Sequence, residues 1–266
     1  MAKDNKEKKT HGSHRSVDDM GLCDQMNFTT AESFKMLRTK LNLTMPQGEN
    51  SQTCRIIGVT SSLRGEGKTH TSVNLAYTFA EANKRVCLVE GDMRLPNISK
   101  RLSLEAAPGL SNLLTGQDND INVIQHYTSP KGVKFDVLTS GDIPPMPSEL
   151  LESKNMRMTM AALAQVYHYV IVDLPPVTVV TDAITVSPLL DGMVLIVRRD
   201  YCDRVSLQNA MNQLELAGAK MLGVVFNGAD GPTGSGTYYK KNKKYKYYKG
   251  KDYGYGYGYG YDRGND

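Results

Sequence analysis

Short apolar runs alternate along the chain with longer segments in which apolar residues recur every three or four positions. The runs predict buried strands, because they are continuous rather than alternating. The periodic segments predict amphipathic helices. The predicted strands cover residues 55–60, 86–90, 137–139, 169–173, 193–197 and 222–226. This alternation predicts an α/β fold, a mostly parallel sheet with helices on both faces.

The predicted helices lie before and between these strands. They cover residues 29–43, a segment that begins near 68, 96–102, 109–114, 148–164, a segment that opens at 181, and 204–217. In the first helix Phe34, Leu37 and Leu41 form one apolar stripe, which predicts that it packs on the domain. Three methionines in the fifth helix are expected to fill gaps in the core: Met156, Met158 and Met160.

Composition divides the chain into three zones. Residues 1–26 are polar and poor in large apolar side chains, which predicts a disordered N-terminal segment. Residues 27–230 have the length and apolar content of one α/β domain. Residues 231–266 form a tail rich in glycine, lysine and tyrosine, for which we expect mobility.

The positive charge is concentrated in the tail. From Tyr238 to Asp266 there are eight Lys or Arg residues and three Asp, so this stretch carries +5. The whole chain carries +4, which leaves −1 for the rest. The domain is therefore not expected to present a basic face for nucleic acid.

Cysteine usage and hydropathy predict a cytoplasmic protein. The four cysteines form no CxxC pair and are expected to be reduced thiols. No stretch reaches the roughly 18 apolar residues of a membrane span. The first residues lack the apolar region of a signal peptide. We therefore expect membrane association only through a partner.

A glycine-rich segment links the first predicted strand to a helix: Ser61-Ser62-Leu63-Arg64-Gly65-Glu66-Gly67-Lys68-Thr69. A strand, a glycine loop and a helix N-terminus in this order make a phosphate-binding loop. Lys68 is expected to contact the β- and γ-phosphates, and Thr69 to bind Mg²⁺. A plain glycine turn is the alternative, which the flanking strand and helix disfavour. The predicted nucleotide-binding residues here are Leu63, Arg64, Gly65, Glu66, Gly67, Lys68, Thr69 and His70.

Carboxylates end two of the predicted strands. Glu90 and Asp92 lie one residue apart at the end of one strand, and Asp173 closes another. Because the carboxyl ends of parallel strands border the ligand crevice of open α/β sheets, these acids are expected near the phosphates. Asp92 and Asp173, with Thr69, are the predicted Mg²⁺ ligands. Helix capping would explain one such acid, whereas two favour a metal site.

These three motifs, in this order, resemble the Walker A, A′ and B motifs of bacterial tyrosine kinases of the polysaccharide-assembly type. These kinases are a branch of the deviant P-loop ATPases, so the resemblance implies a P-loop NTPase-like sheet. Segments 144–151 and 223–227 and the tyrosine-rich tail match as well, so the likeness covers about residues 28–261. Leu63 stands where partitioning-type relatives carry a signature lysine, which favours the kinase branch. Two further departures are Glu90, where aspartate is usual, and Ser62, where the first loop glycine is usual.

The resemblance implies an ATP- and Mg²⁺-dependent protein tyrosine kinase with four catalytic residues: Lys68, Glu90, Asp92 and Asp173. A tyrosine hydroxyl has a pKa near ~10, so a neighbouring carboxylate should accept its proton. Glu90 is the first candidate and Asp92 its rival. Asn227 resembles the residue that reads the adenine edge in related ATPases. A turn asparagine before Gly228 is an equal alternative.

The implied substrate is the kinase's own tail, phosphorylated between subunits in the regulation of capsular or extracellular polysaccharide synthesis and export. Ten of the fifteen tyrosines are the expected phosphorylation sites: Tyr238, Tyr239, Tyr245, Tyr247, Tyr248, Tyr253, Tyr255, Tyr257, Tyr259 and Tyr261. A stacking RNA-binding tail, a low-complexity segment and an inert solvated end are other interpretations. A loop for ATP and many acceptor hydroxyls in one chain favour phosphorylation.

The resemblance also implies partners. In the family an acid–base–base pattern contacts the next subunit of a ring-shaped homo-oligomer, and here it reads Glu32, Lys35 and Arg38. A capping box starting at Thr29, or ordinary solvated pairs, would explain the same charges. A transmembrane adaptor of the polysaccharide co-polymerase type would recruit the chain to the inner face of the membrane and activate it. A cognate tyrosine phosphatase would reverse the modification.

Two other functions fit part of the pattern. A partitioning-type ATPase would switch between monomer and dimer, but Leu63 and the tyrosine-rich tail speak against it. A nucleotide-binding scaffold without catalysis is the second alternative, because Glu90 replaces the usual aspartate.

Overall fold

The computed structural model describes residues 21–45, 54–116 and 123–229. They form a seven-stranded sheet in the order β3-β4-β2-β5-β1-β6-β7. The strands are β1 (Arg55–Ser61), β2 (Val86–Glu90), β3 (Gln125–Thr128), β4 (Lys134–Leu138), β5 (Tyr169–Asp173), β6 (Gly192–Arg198) and β7 (Met221–Asn227). Every neighbouring pair is parallel except β3 with β4.

Eight α-helices occur in the described part of the chain. They are α1 (Phe28–Thr44), α2 (Lys68–Glu81), α3 (Ile98–Leu102), α4 (Leu110–Thr115), α5 (Pro147–Glu152), α6 (Lys154–Val166), α7 (Asp182–Val186) and α8 (Arg204–Leu216). Together with the mostly parallel sheet, they confirm the predicted fold class. None of these helices is both long enough and apolar enough to cross a membrane.

Two hydrophobic cores lie on the two faces of the sheet, because successive strand residues point to opposite sides. Helices α1 to α3 contribute to one core, which includes Ile57 and Ile171. Helices α4 to α8 contribute to the other, which includes Val170 and Val172. The central strands are buried on both faces, which explains why they read as continuous apolar runs.

The order of the strands brings the three predicted motifs together. Strand β5 lies between β2 and β1, and Asp173 is in register with Glu90 on one side and Val59 on the other. The Gly91 N–H donates to the Asp173 carbonyl at 2.8 Å, which extends the β2–β5 pairing by one residue. The acidic ends of β2 and β5 therefore lie beside the loop that follows β1.

The predicted helix 148–164 is in fact two helices. Ser153 has extended backbone angles, and its hydroxyl oxygen accepts the Met156 N–H at 3.2 Å, so it caps α6. Met156 and Met160 are buried as predicted, but Met158 is 58 % exposed. That prediction was wrong because a residue two positions from a core residue points away from the core on a helix.

Two further differences lie at the margins of the domain. The edge strand β3 was not predicted, because its four residues are polar and only alternately half-buried. Residues 21–26, expected to be disordered, contain a 3₁₀ turn at Cys23–Gln25, with Leu22 and Cys23 packed into the α1–α3 core. Residues 1–20, and the tail from residue 230 with all ten predicted phosphorylation sites, lie outside the described residues.

Candidate active site

The phosphate loop joins the end of β1 to the first turn of α2. Gly65 and Gly67 have φ angles of 78° and 92°, in the left-handed region where a side chain would be strained. Gly67 is the residue directly before α2. The N-terminus of this 14-residue helix therefore opens into the loop, as an anion-binding site requires.

The side chain of Glu66 shapes this loop from inside. It is fully buried, and its carboxylate accepts the Leu63 N–H at 2.6 Å and the Arg198 N–H at 3.2 Å. The side-chain amide of Asn227 donates to the Glu66 carbonyl at 2.8 Å. Glu66 can therefore offer a nucleotide only its backbone. Asn227 fastens the end of β7 to the loop, and its contact with adenine stays a prediction.

Asp173 is anchored directly on the first turn of α2. The Thr69 hydroxyl donates to one carboxylate oxygen at 2.7 Å, and the Ser72 hydroxyl donates to the other at 2.9 Å. Burial raises the pKa of Asp173, while the Lys68 ammonium and the Thr69 hydroxyl act against that shift. Two of the three predicted Mg²⁺ ligands, Thr69 and Asp173, are therefore in direct contact, and their binding of Mg²⁺ stays a prediction.

Lys68 lies between the two acids. Its ammonium is 2.8 Å from Asp92 Oδ2 and 3.6 Å from Asp173 Oδ2. Burial acts to lower the pKa of Lys68, but the two carboxylates outweigh it and hold that pKa above its ordinary value. The ammonium is therefore charged at neutral pH and stands beside both predicted metal ligands.

Glu90 and Asp92 differ sharply in their surroundings. One Glu90 oxygen accepts the N–H groups of Asn97 and Ile98, and the other accepts the Ser140 N–H at 3.2 Å. Glu90 is almost fully buried, and burial raises its pKa against the effect of these three N–H groups. Asp92 is also buried, but its carboxylate pairs with Lys68, accepts the Leu95 N–H, and lines the cleft together with residues of the phosphate loop. The geometry therefore favours Asp92 over Glu90 as the group that meets a substrate.

Arg94 is a site residue that the sequence did not reveal. Its guanidinium binds the buried Asp182 through Nε at 2.9 Å and Nη2 at 3.1 Å, and Nη2 also donates to the Ser148 hydroxyl at 2.9 Å. Ser148 and Asp182 belong to segment 144–151 and to the start of α7. Segment 144–151 matches the family pattern and a helix is predicted to open at 181, but only the fold shows that an arginine joins them.

One cleft gathers most of these groups. The polar lining residues are Arg64, Gly65, Gly67, Lys68, Thr69, Asp92, Arg94 and Asn97, and the apolar ones are Leu95, Pro175, Pro176, Val179 and Val180. His70 is not among them. Its ring packs edge-on against Phe34, and its Nδ1 is 3.1 Å from Arg101 Nη1. The predicted role of His70 in binding a nucleotide thus has no support from the cleft.

The donor groups in the cleft fit Mg²⁺. Mg²⁺ prefers hard oxygen ligands, commonly one or two carboxylates, and keeps several waters. The Thr69 hydroxyl and the Asp92 carboxylate line the cleft. The buried Asp173 carboxylate does not line it, but it contacts Thr69 and lies 3.6 Å from the Lys68 ammonium. No group of three or more His, Cys, Asp or Glu side chains suited to a metal occurs among the residues described. Two carboxylates and one hydroxyl leave most of the coordination positions of a Mg²⁺ ion to nucleotide and water.

Comparison with known proteins now identifies the family. A family model described as an AAA domain matches residues 54–214. The tyrosine-protein kinase YwqD of Bacillus subtilis is 32% identical over 210 residues, which are 73% of this chain and 87% of that protein. The tyrosine-protein kinase CpsD of Streptococcus agalactiae is 30% identical over 220 residues, which are 81% of this chain and 92% of that protein. The chain belongs to the bacterial tyrosine kinases. This confirms the resemblance seen in the motifs and assigns the enzyme class, protein-tyrosine kinase.

Solved structures agree with the kinase assignment. The kinase domain of the Escherichia coli tyrosine kinase Etk superposes with a TM-score of 0.69 at 30% identity and covers 81% of this chain and 79% of that one. Against the whole Etk protein the identity is 34%, and the match spans only 27% of its length. The cell division ATPase MinD of Pyrococcus furiosus has a TM-score of 0.54 at 21% identity and shares the fold alone.

The kinase's predicted interface residues lie on α1, where they also contact α2 of the same chain. Lys35 Nζ is 3.0 Å from Glu32 Oε1 and 4.0 Å from Glu81 Oε2, and the Arg38 guanidinium donates to the Thr78 carbonyl. Thr29 is not the helix cap, since Asn27 caps α1 by accepting the Thr30 N–H. Contact of these charges with a neighbouring subunit stays a prediction.

Proposed function

We propose that this chain is an ATP- and Mg²⁺-dependent tyrosine kinase that phosphorylates its own C-terminal tail between subunits. The observation that carries the proposal is the meeting of Lys68, Asp92 and Asp173 at the head of a phosphate loop. Phosphoryl transfer depends mainly on positioning and on neutralising charge, because little covalent chemistry falls to the protein. This cluster supplies both requirements.

Each group of the site has its own role in phosphoryl transfer. The loop backbone and Lys68 bind the β- and γ-phosphates, and the lysine moves from the carboxylates toward the phosphates when a nucleotide binds. Thr69, Asp92 and Asp173 would hold Mg²⁺, which neutralises charge on the phosphate oxygens. Burial and two hydroxyl donors fix Asp173 in place. Arg94, held by Asp182, places its guanidinium in the lining of the cleft.

The reaction transfers one phosphoryl group from ATP to a tyrosine hydroxyl. The bond between the γ-phosphorus and the β–γ bridging oxygen breaks, the bond from the tyrosine Oη to phosphorus forms, and ADP leaves. Asp92 accepts the phenol proton, because it lines the cleft whereas Glu90 is bound to three N–H groups. The acceptors are the ten tail tyrosines, from Tyr238 to Tyr261.

The tail's charge suggests how modification feeds back on assembly. Unmodified, the stretch from residue 238 onward carries +5, and each phosphate adds about −1.5 to −2. Roughly three phosphotyrosines therefore neutralise it and weaken its attraction to an acidic site on a neighbouring subunit. We expect a ring-shaped oligomer, with Glu32, Lys35 and Arg38 at the interface, that dissociates on phosphorylation. Treatment with a tyrosine phosphatase should restore it, and light scattering at low salt checks this; equal masses for both forms would contradict it.

The partner is expected to be a transmembrane adaptor of the polysaccharide co-polymerase type, which recruits the cytoplasmic kinase to the inner face of the membrane. The family resemblance supports this proposal, as it supports a role in capsular or extracellular polysaccharide synthesis and export. Adding a cytoplasmic adaptor peptide should raise a weak basal rate of self-phosphorylation. Full activity of the isolated chain without the peptide would refute the dependence.

Incubation with γ-labelled ATP separates this kinase from the two alternatives. A kinase retains label on its own tyrosines, a partitioning-type switch releases labelled phosphate only, and a scaffold does neither. Leu63 stands where partitioning-type relatives carry a signature lysine, which speaks against the switch. Release of phosphate with no label on the protein would overturn the kinase proposal.

A further inference from the structure

Part of the cleft lining is apolar, and the binding of phosphates does not account for it. It is formed by Leu95 from the loop after β2 and by Pro175, Pro176, Val179 and Val180 from the segment after β5. Leu95 is 55 % exposed and Val179 is 45 % exposed. Polyphosphate and a hydrated cation need polar partners, so this apolar surface beside the charged groups suits a group with an apolar face.

Leu95 is fixed next to the proposed proton acceptor. Its backbone N–H donates to Asp92 Oδ1 at 3.1 Å, while the other Asp92 oxygen pairs with Lys68. An apolar group in contact with Leu95 therefore lies near the Asp92 carboxylate. A ligand there needs an apolar body and a polar tip.

The segment after β5 is fastened to β1 and to the phosphate loop. The Thr60 hydroxyl donates to the Pro175 carbonyl at 2.7 Å, and the Val177 N–H donates to the Ser61 carbonyl at 2.9 Å. The Thr178 hydroxyl donates to the carbonyl of Ser62. Val179 and Val180 thus follow a stretch that the phosphate loop itself positions.

The two apolar walls are also tied to each other. Arg94 directly precedes Leu95, and its bidentate partner Asp182 lies two residues after Val180. An ion pair whose Asp182 end is fully buried therefore links the two segments that carry the apolar residues.

We propose that Leu95, Val179 and Val180, together with Pro176, bind the phenol ring of the acceptor tyrosine and direct its hydroxyl to Asp92. This inference rests on the proposed function and deepens it. A tyrosine has a broad apolar ring and a polar tip, which match the apolar walls and the adjoining carboxylate. A serine or threonine side chain has no ring to fill the site, so the walls select tyrosine. The occupant is a tyrosine from a second copy's tail, where ten of the fifteen tyrosines lie.

Peptide binding tests the proposal without requiring turnover. The probe is a fluorescein-labelled peptide of residues 251–261, measured by anisotropy against the full chain with a non-hydrolysable ATP analogue and Mg²⁺. Loss of an apolar contact in a binding pocket weakens affinity by about tenfold, which is the increase in Kd expected for Leu95→Ser and for Val179→Ser. A peptide with serine in place of every tyrosine should bind the wild-type chain no more tightly than the tyrosine peptide binds a variant that combines Leu95→Ser and Val179→Ser.

We call Leu95, Pro176, Val179 and Val180 the ring site. A matched control separates peptide binding at the ring site from nonspecific binding to exposed apolar side chains. Ile143 is 68 % exposed and does not line the cleft, so Ile143→Ser should leave the peptide Kd unchanged. Circular dichroism checks that each variant is folded. Unaltered binding by both cleft variants, or equal loss in Ile143→Ser, would overturn the ring site.

Kinetics distinguish a failed ring site from a failed kinase proposal. The KM for the peptide should rise about tenfold in Leu95→Ser, with a much smaller change in the KM for ATP. Ring-dependent binding without any phosphoryl transfer would defeat the kinase proposal and leave the ring site standing. Phosphoryl transfer with the same peptide KM in all variants would defeat the ring site and leave the kinase proposal standing.

Discussion

Arg94 and Asp182 form a two-pronged ion pair, Nε to Oδ2 at 2.9 Å and Nη2 to Oδ1 at 3.1 Å. Asp182 is fully buried and also accepts the Ser148 hydroxyl at 2.7 Å. One buried carboxylate thereby connects the loop after β2, the start of α5 and the start of α7. These three segments surround the candidate active site.

Replacing Asp182 by asparagine should loosen this junction. Asparagine keeps one acceptor oxygen but loses the charge, so the Arg94 guanidinium is left underpaired at a half-buried position. We expect the free energy of unfolding to fall by about 1–3 kcal/mol. We also expect a larger rise in the KM for a tyrosine peptide than in the KM for ATP. Urea unfolding and steady-state kinetics measure the two effects.

Asp200→Asn provides the matched control for that experiment. Asp200 pairs with Arg199 at 3.1 Å on the surface, with its side chain 85% exposed. Exposed pairs contribute little to stability, so the control should unfold like the wild type. Equal stability of the Asp182 and Asp200 variants would contradict the role given to the buried pair.

Glu90→Gln tests whether Glu90 is structural or catalytic. Glutamine has one carbonyl oxygen, so it cannot accept N–H groups at both ends as Glu90 does. A buried N–H left without an acceptor costs roughly 1–3 kcal/mol, and we expect thermal and urea unfolding to report a loss of this size. Self-phosphorylation should survive in the folded fraction. A Glu90→Gln variant as stable as the wild type but without activity would make Glu90 the proton acceptor.

The pH dependence of stability should contain a contribution from His168. Its Nδ1 accepts the Arg85 N–H at 2.9 Å, and burial, with Arg85 and Lys84, lowers its pKa. A depressed histidine pKa means that the unfolded chain binds the proton more readily, so stability rises with pH across this interval. The contribution is present above the ordinary pKa near ~6.5 and is lost as pH falls through the folded-state pKa.

His168→Asn isolates that contribution, because asparagine keeps an acceptor near the same place and does not titrate. Urea unfolding between about pH 5 and 8, an interval that spans the ordinary histidine pKa, should show that the free energy of unfolding depends less steeply on pH in the variant. Identical slopes for the two proteins would remove His168 from the account.

The central strands were predictable because burial on both faces leaves a simple mark in the sequence. Val170 to Val172 and the run after Val86 are apolar at every position, so a strand was the natural interpretation. The phosphate loop was equally legible, since its glycines and Lys68 lie between a strand and a helix. The parallel sheet then placed Asp173 beside Thr69 without further information.

Contacts between distant side chains could not be read in the same way. Glu90 was the first candidate for the proton acceptor, because sequence shows a carboxylate but not the backbone N–H groups that surround it. Arg94 went unassigned because Asp182, its partner, lies 88 residues further along the chain. Ser153 breaks a helix through one capping bond that residue propensities do not reveal.

The most direct test of the central claim is phosphopeptide mapping by mass spectrometry after incubation with ATP and Mg²⁺. We compare the wild type with Lys68→Met and with Lys131→Met, a control at an exposed lysine outside the cleft. Lys68 supplies charge to the transferring phosphoryl group, so we expect phosphate on tyrosines between 238 and 261 in the wild type and the control. We expect a loss of orders of magnitude in a folded Lys68→Met protein. Equal tail phosphorylation in Lys68→Met, or no phosphotyrosine in the wild type even with an adaptor peptide, would contradict the account.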